Sequence, residues 1–238
     1  MRFQRTVIPY LSPDPESPFP PVEQALEYPE GLLAAGGDLS PARLVNAYRQ
    51  GIFPWYSEGQ PILWWSPAPR CVLYPQSVHI SRRLRRHYNQ GGFSLTADRA
   101  FEEVIEACAA PRPGQDETWI TGDMLEAYVR LHRLGIAHSV ETWVDGELAG
   151  GIYGLALGRV FFGESMFSWQ QDASKVALVA FCRQLQLWDF TVLDCQVSNP
   201  HLLSMGAVEV SRETFQDLLK TALEAECWQQ DFSCESRW

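Results

Sequence analysis

Apolar residues recur along this chain at two spacings, and the change from one to the other marks where strands give way to helices. Cys71–Tyr74 and Phe93–Thr96 are short apolar runs expected to form strands. His138–Val144, Glu147–Tyr153 and Arg159–Phe162 are expected as three strands in quick succession, with Asp145-Gly146 supplying the turn between the first two. Two more strands are expected at Thr191–Gln196 and Ala207–Val210. The stretches between them carry helical spacing and its punctuation. Ser40 with Pro41 opens a short helix that Gly51 closes. Ser81 to about Tyr88 is a second helix, Asp98 caps a third that runs to about Ala109, and Thr121 caps a fourth that Gly135 ends. A long helix is expected from about Ala173 to Leu187, a short one from Asn199-Pro200 to Gly206, and a last one after Ser211.

From residue 71 onward the order is therefore β-α-β-α-α-β-β-β-α-β-α-β-α, an α/β (α+β) pattern with a mixed sheet and an antiparallel meander at its centre. The region before it differs. Residues 12–30 are rich in Pro and Glu and read as extended chain. The pieces Ile52-Phe53-Pro54-Trp55-Tyr56 and Leu63-Trp64-Trp65-Ser66-Pro67 are too proline-broken for ordinary helix or central strand. A boundary near residue 63 is expected, with a small N-terminal domain over 1–63 and a larger one over 64–238.

Charge changes the picture in one place. The 238 residues carry a formal net charge of −10, which opposes indiscriminate adhesion to nucleic acid. Yet Arg82, Arg83, Arg85 and Arg86 crowd one stretch with no acid among them, which favours an anionic partner there. Composition otherwise excludes more than it selects. No apolar run approaches the ~20 residues of a membrane span, and the N-terminus lacks the apolar stretch of a secretory leader, so a cytoplasmic protein is expected. The six cysteines (71, 108, 182, 195, 227 and 234) include no C-x-x-C, which points to reduced thiols. The five histidines show no metal-ligand spacing, and phosphate-loop, dinucleotide and serine-elbow motifs are lacking. Neither metal nor cofactor is expected.

Three groupings could carry chemistry. Asp194 and Gln196 stand two apart at the end of an apolar strand, so alternation projects them together and Cys195 away. A site at the strand's carboxyl end and a polar cap for the next helix both satisfy this pattern. Glu164 lies among aromatics in Phe161-Phe162-Gly163-Glu164-Ser165-Met166-Phe167, either partly desolvated or in a turn facing water. Trp55, Trp64, Trp65 and Trp119 lie in irregular stretches, where an indole either stacks on a base or fills a core.

Several longer runs, taken together, resemble the leucyl/phenylalanyl-tRNA–protein transferase family. They are Gly31-Leu32-Leu33-Ala34, Gly36-Gly37-Asp38-Leu39-Ser40-Pro41, Gly51-Ile52-Phe53-Pro54-Trp55, Leu63-Trp64-Trp65-Ser66-Pro67, Thr118-Trp119-Ile120-Thr121, Gly163-Glu164-Ser165-Met166-Phe167-Ser168 and Asp194-Cys195-Gln196-Val197. The resemblance covers about Phe19 to Phe215; the tail with Cys227, Trp228, Cys234 and Trp238, and the stretch Ala110-Pro111-Arg112-Pro113-Gly114, fall outside it. It implies an acyl-CoA N-acyltransferase-like (GNAT-like) second domain and an aminoacyltransferase; nothing in the sequence requires more than a monomer. The implied reaction moves Leu or Phe, with Met as a further candidate, from aminoacyl-tRNA (Leu-tRNA or Phe-tRNA) to proteins with N-terminal Lys or Arg, marking them for N-degron degradation. Gln170-Gln171-Asp172-Ala173-Ser174-Lys175 lacks the glycines of a CoA phosphate loop, in keeping with a donor other than CoA.

By that resemblance Asp194 and Gln196 are catalytic, and Trp55 and Trp119 hold the terminal adenosine of the tRNA. On chemical grounds Asp194 is expected to accept from the Gln196 amide NH₂ and turn its carbonyl toward the attacking amine. Glu164 or Asp194 is expected to face a cationic first residue. Ile152, Phe161, Leu178 and Phe181 are candidates for the donor side-chain pocket, and the four arginines for the acceptor-stem phosphates. Two rivals stand beside this reading: a CoA-dependent acyltransferase and a non-catalytic RNA-binding module.

Overall fold

The computed structural model describes residues 8–111, 119–224, 232 and 238. Arg112, Pro113, Gly114, Thr118, Cys227, Trp228 and Cys234, named above, lie outside the described residues. In chain order the elements are β1 (Tyr10–Leu11), β2 (Leu32–Gly36), α1 (Pro41–Arg49), β3 (Phe53–Pro54), β4 (Leu63–Trp65), β5 (Arg70–Leu73), α2 (Arg82–Asn89) and β6 (Phe93–Ala97). Then come α3 (Phe101–Ala109), α4 (Gly122–Arg133), β7 (Ala137–Val144), β8 (Glu147–Leu157), β9 (Val160–Ser168) and α5 (Ala173–Leu187). β10 (Val192–Gln196), α6 (Pro200–Ser204), β11 (Val208–Val210) and α7 (Arg212–Ala222) complete the chain. Among the described residues no helix is long and apolar enough to cross a membrane.

The strands form two sheets, a four-stranded one in the order β1-β2-β4-β3 and a seven-stranded one in the order β11-β5-β10-β9-β8-β7-β6. The larger sheet is mixed, because β9 and β10 run parallel while its other neighbours are antiparallel. The first sheet ends at Trp65 and the second begins at Arg70, so residue 63 lies within β4 and the break between sheets falls just after it. β4 is paired on both sides, against the expectation that Leu63–Trp65 could not be a central strand. Its flanking prolines, Pro61 and Pro67, lie outside the paired residues, so no ladder bond is lost. Pro54, with no N–H to donate, sits in β3 at the sheet's edge.

Local punctuation works largely as the sequence dictates. Ser40, Ser81, Thr121, Asn199 and Ser211 each accept a hydrogen bond from the backbone N–H three residues on. Asp145 and Gly146 both take positive φ, 51° and 84°, as the tight turn between β7 and β8 requires. Asp98 does not cap α3, contrary to expectation. It takes φ 56°, and its carboxylate instead binds the Ser139 N–H at 2.9 Å and the His138 ring at 2.7 Å, stapling the end of β6 to β7. β8 and β9 run past their expected ends, pairing as far as Leu157 and Ser168. At Gly154 only a residue without a side chain fits, since a Cβ would lie 2.0 Å from the Phe162 carbonyl oxygen.

One apolar core joins the two sheets. Leu33, Tyr48 and Trp64 from the first part of the chain pack in the same cluster as Tyr128, Tyr153 and Phe162 from the second. A second cluster lies between α5 and the sheet, with Leu73, Phe161 and Leu193 against Val176 and Phe181. Burying side chains of this size contributes ~1.5–3 kcal/mol each. The N-terminal sheet is therefore docked by the same hydrophobic term that folds the larger one.

Candidate active site

The site opens where the one parallel ladder of the seven-stranded sheet parts. β9 and β10 pair from Val160/Val192 to Phe162/Asp194, after which β9 continues along β8 while β10 ends at Gln196. The gap between them exposes Glu164 on one strand and Gln196 on the other. Clefts of this kind, beyond the carboxyl end of a strand, are where open α/β sheets hold ligands.

Glu164 is held from two sides of the molecule. Tyr48, on α1, donates its hydroxyl to Oε1 at 2.7 Å, and Tyr128, on α4, donates to Oε2 at 2.9 Å. The two phenols also contact each other, and the Gln196 Nε2 lies 3.5 Å from Oε1. Burial raises the Glu164 carboxyl from its ordinary 4.5 to about 7; the tyrosine hydrogen bonds hold it from going higher, with Asp194 adding to the rise and Arg70 opposing it. Burial likewise pushes all three neighbouring phenols, Tyr48, Tyr128 and Tyr153, well above the usual range. Among these groups Glu164 is therefore the one poised to exchange a proton near neutrality.

Asp194 stands otherwise than expected. It is wholly buried, and Arg70 grips it with both ends of its fork, Nε to Oδ1 at 2.8 Å and Nη2 to Oδ2 at 2.7 Å. Arg70 in turn lies between the rings of Phe53, 5.0 Å away, and Phe215, 4.6 Å away, and donates to the Gly51 carbonyl at 3.1 Å. The Asp194 Oδ1 accepts the backbone N–H of Gln196 at 3.0 Å. The expected bond from the Gln196 side-chain amide to Asp194 is replaced by this backbone bond, and the amide reaches toward Glu164 instead.

The cause is a bulge. The register of β10 against β5 slips between Asp194 and Gln196, and Gln196 takes φ 58°, a left-handed conformation that costs a non-glycine residue energy. The Val197 N–H closes a tight turn onto the Cys195 carbonyl at 2.7 Å. Strict alternation fails there, so Gln196 lines the cleft and Asp194 does not. Cys195 lies on the opposite side of the strand from Asp194, as expected, packed with Leu193 and Cys71 in the cluster against α5. Its thiol is pushed well above the usual range, first by its hydrogen bond with the Cys71 thiol and then by burial, so it is a poor nucleophile at neutral pH.

Two cavities meet at this point. The first, of about 440 Å³, has Ile152, Met166, Leu178, Leu193 and Leu202 among its walls. The second, of about 320 Å³, is walled by Phe53, Pro54, Trp55 and Trp119. Both share Glu164, Cys195, Gln196, Val197 and Asn199. Ile152 and Leu178 thus line a pocket as expected, but Phe161 and Phe181 do not. Those two rings pack edge-on at 4.5 Å in the core, where neither reaches the cavity. Trp64 is core as well, fully buried with its Nε1 on the Gly36 carbonyl at 2.8 Å. Trp65 braces Trp55 by donating to its carbonyl at 2.6 Å.

The four arginines all lie on the exposed side of α2, whose inner face carries Leu84 and Tyr88. They are not equivalent. Arg83 Nη2 is 3.1 Å from Asp172 Oδ1, and His87 and Lys175 approach the same carboxylate at 3.1 and 3.6 Å. Asp172 sits at the start of α5 with φ 64°. That carboxylate thus gathers three basic side chains at the start of α5.

Sequence reasoning missed Tyr48, Tyr128 and Arg70. Each falls on the buried stripe of its element and reads there as a packing residue; only the fold brings them together from 48, 70 and 128 in the chain.

A family profile described as leucyl/phenylalanyl-tRNA protein transferase matches residues 72–220, and one described as the N-terminal domain of the same family matches residues 37–68. A leucyl/phenylalanyl-tRNA–protein transferase from Nitrosomonas europaea is 58% identical over 204 residues, covering 86% of each chain. One from Aromatoleum aromaticum is 60% identical over 209 residues, covering 88% of this chain and 87% of its own. Among solved structures, a GCN5-related N-acetyltransferase from Kribbella flavida overlaps 72% of this chain and 61% of its own, at 9% identity and a TM-score of 0.38. With identity at this level across most of its length, the chain belongs to the leucyl/phenylalanyl-tRNA protein transferase family.

Proposed function

We propose that this protein transfers leucine or phenylalanine from an aminoacyl-tRNA to the N-terminal α-amine of a protein whose first residue is Lys or Arg. The observation that carries the reading is the pair of joined cavities. The apolar one suits a Leu or Phe side chain, and the tryptophan-walled one suits a terminal adenosine between Trp55 and Trp119. The ester linking those two parts of the donor would then lie at their junction, beside Gln196 and Glu164. Because that ester is already activated, no cofactor is required, and holding the two reactants in place can contribute ~7–11 kcal/mol. The Gln196 amide, with its NH₂ directed at Glu164, has its carbonyl oxygen available to accept a hydrogen bond from the attacking amine. Asp194 serves this by fixing the Gln196 backbone. With its own oxygens committed to Arg70, it leaves Glu164 as the anion nearest an incoming cationic residue. Arg82, Arg85 and Arg86 would meet the tRNA phosphates.

The test is transfer of labelled leucine from Leu-tRNA to an N-terminal Arg peptide by the purified protein without CoA or ATP. Transfer that falls at least tenfold when Trp119 is replaced by Ala is the expected result. Failure of the well-folded protein to transfer, or acetylation of the same peptide from acetyl-CoA, would overturn it.

A further inference from the structure

Aminolysis of an ester leaves one proton too many on nitrogen and one too few on the departing oxygen. Among the residues lining both cavities, Glu164 and Cys195 are the ones with a titratable side chain. The Cys195 thiol is held in its neutral form. Gln196 is an amide with no proton to exchange near neutrality, and Asp194 is sealed behind it on Arg70. His201 lines the apolar cavity alone.

We propose, resting on the function given above, that Glu164 carries the proton of the transfer from the attacking nitrogen to the departing ribose oxygen. The neutral amine attacks the ester carbon and the C–N bond forms. The surplus proton on nitrogen passes to a Glu164 carboxylate oxygen. The C–O bond to ribose then breaks, the same proton goes to the ribose oxygen, and the carboxylate is restored. The groups that face Glu164 set it for this exchange: Tyr48 from α1, Tyr128 from α4, Tyr153 from β8, Asp194 and Gln196 from β10, and Arg70 from β5. Burial raises the carboxyl and the two tyrosine hydrogen bonds restrain it, and the resulting value of about 7 lies close to that of a protein α-amine, ~7.7–8.0, so the proton moves between near-matched groups.

The experiment compares the wild-type protein with Glu164→Gln on two Leu acceptors. One is an N-terminal Lys peptide, and the other is its analogue with an aminooxy group in place of the α-amine. A weakly basic aminooxy nitrogen sheds its surplus proton to water without help. Glu164→Gln is expected to lower transfer to the amine by about 100-fold or more, in line with general acid–base catalysis, and to the aminooxy acceptor by far less. For the amine, log kcat/KM of the wild type should climb with a slope of two below pH 7, since both amine and carboxylate must lose a proton, and Glu164→Gln should climb with a slope of one. Equal losses on both acceptors would mean that Glu164 merely holds the cationic side chain, and would overturn the proposal; so would a wild-type slope of one. Tyr128→Phe, which keeps the carboxylate, gives an independent reading. Losing a hydrogen bond that lowers Glu164 should move the acidic limb to higher pH, and an unmoved limb counts against the proposal. Absence of transfer by the wild type to either acceptor would instead refute the function on which it rests.

Discussion

Replacing Asp194 by Ala removes more than the acceptor for the Gln196 N–H, and the structure says how much more. The change strands the Arg70 guanidinium, which is 1% exposed and has lost both of its charge-assisted bonds. Removing one member of a buried, well-formed pair costs about 3–5 kcal/mol, because the other charge stays desolvated. In a chain of this length each kcal/mol moves the melting temperature by roughly 2–4 °C, so Asp194→Ala should melt about 6–20 °C below the wild type. Arg70→Met added to it should recover most of that loss, since the Met side chain would lie between the Phe53 and Phe215 rings that now flank the guanidinium. Thermal denaturation of the wild type, both single variants and the double variant closes the cycle and measures the coupling directly. A single variant within about 2 °C of the wild type, or a double variant less stable than Asp194→Ala, would refute the account. Transfer assays on the same four proteins separate fold from positioning. The double variant regains stability but lacks the acceptor for the Gln196 N–H, so it should remain inactive; restored transfer would mean that Asp194 does nothing for Gln196.

Glu164 also carries a pH signature in stability. Its value in the folded protein is raised above the ordinary 4.5, so its protonated form favours the fold; that contribution is complete below 4.5 and is lost as pH rises through about 7, to the extent of ~3 kcal/mol. Glu164→Gln cannot ionise, so it should melt above the wild type at pH 8, with the gap closing toward pH 5; a gap of the same size at both pH values would contradict the burial argument. For the arginine helix, changing Arg82, Arg85 and Arg86 together to Ala should flatten the dependence of donor tRNA affinity on salt by about 2–3 in log–log slope. Arg83→Ala should flatten it less, because that guanidinium already answers Asp172. An unchanged slope in the triple variant, measured by titration at several salt concentrations, would remove α2 from the tRNA surface.

Local signals carried the sequence reading a long way. Side-chain caps and turn residues act within three or four positions, so Ser81, Thr121 and Asn199 could be placed from neighbours alone, and so could the Asp145-Gly146 turn. Asp98 had the right neighbours for a cap, but a tertiary demand from Ser139 and His138 outbid it. At the candidate site Gln196, Glu164, Trp55, Trp119, Ile152 and Leu178 were legible as chemistry or as apolar walls, and the fold brings them to one cleft. The parting of Asp194 and Gln196 was not legible, because alternation assumes a regular strand and the irregularity between them re-aims Gln196. Nor could Phe161 and Phe181 be told from pocket residues, since a core and a pocket wall draw on the same amino acids. Arg70 and Tyr48 gave no local sign, because their meaning lies in partners more than a hundred positions away.

The hydroxyl that Tyr48 extends to Glu164 has a consequence for anyone who would take this protein apart. The hydrogen-bonding of the carboxylate is completed by Tyr48 on α1, beside the smaller sheet, and the wall of the second cavity is shared between Trp55 and Trp119. A fragment beginning at Arg70 would keep Glu164, Asp194 and Gln196 and still lack half of what tunes them. Chimeras that exchange residues 1–69 between relatives should thus retain activity only when the incoming segment presents a phenol at position 48 and an aromatic ring at 53 to face Arg70. Modularity in the chain is not modularity in the chemistry.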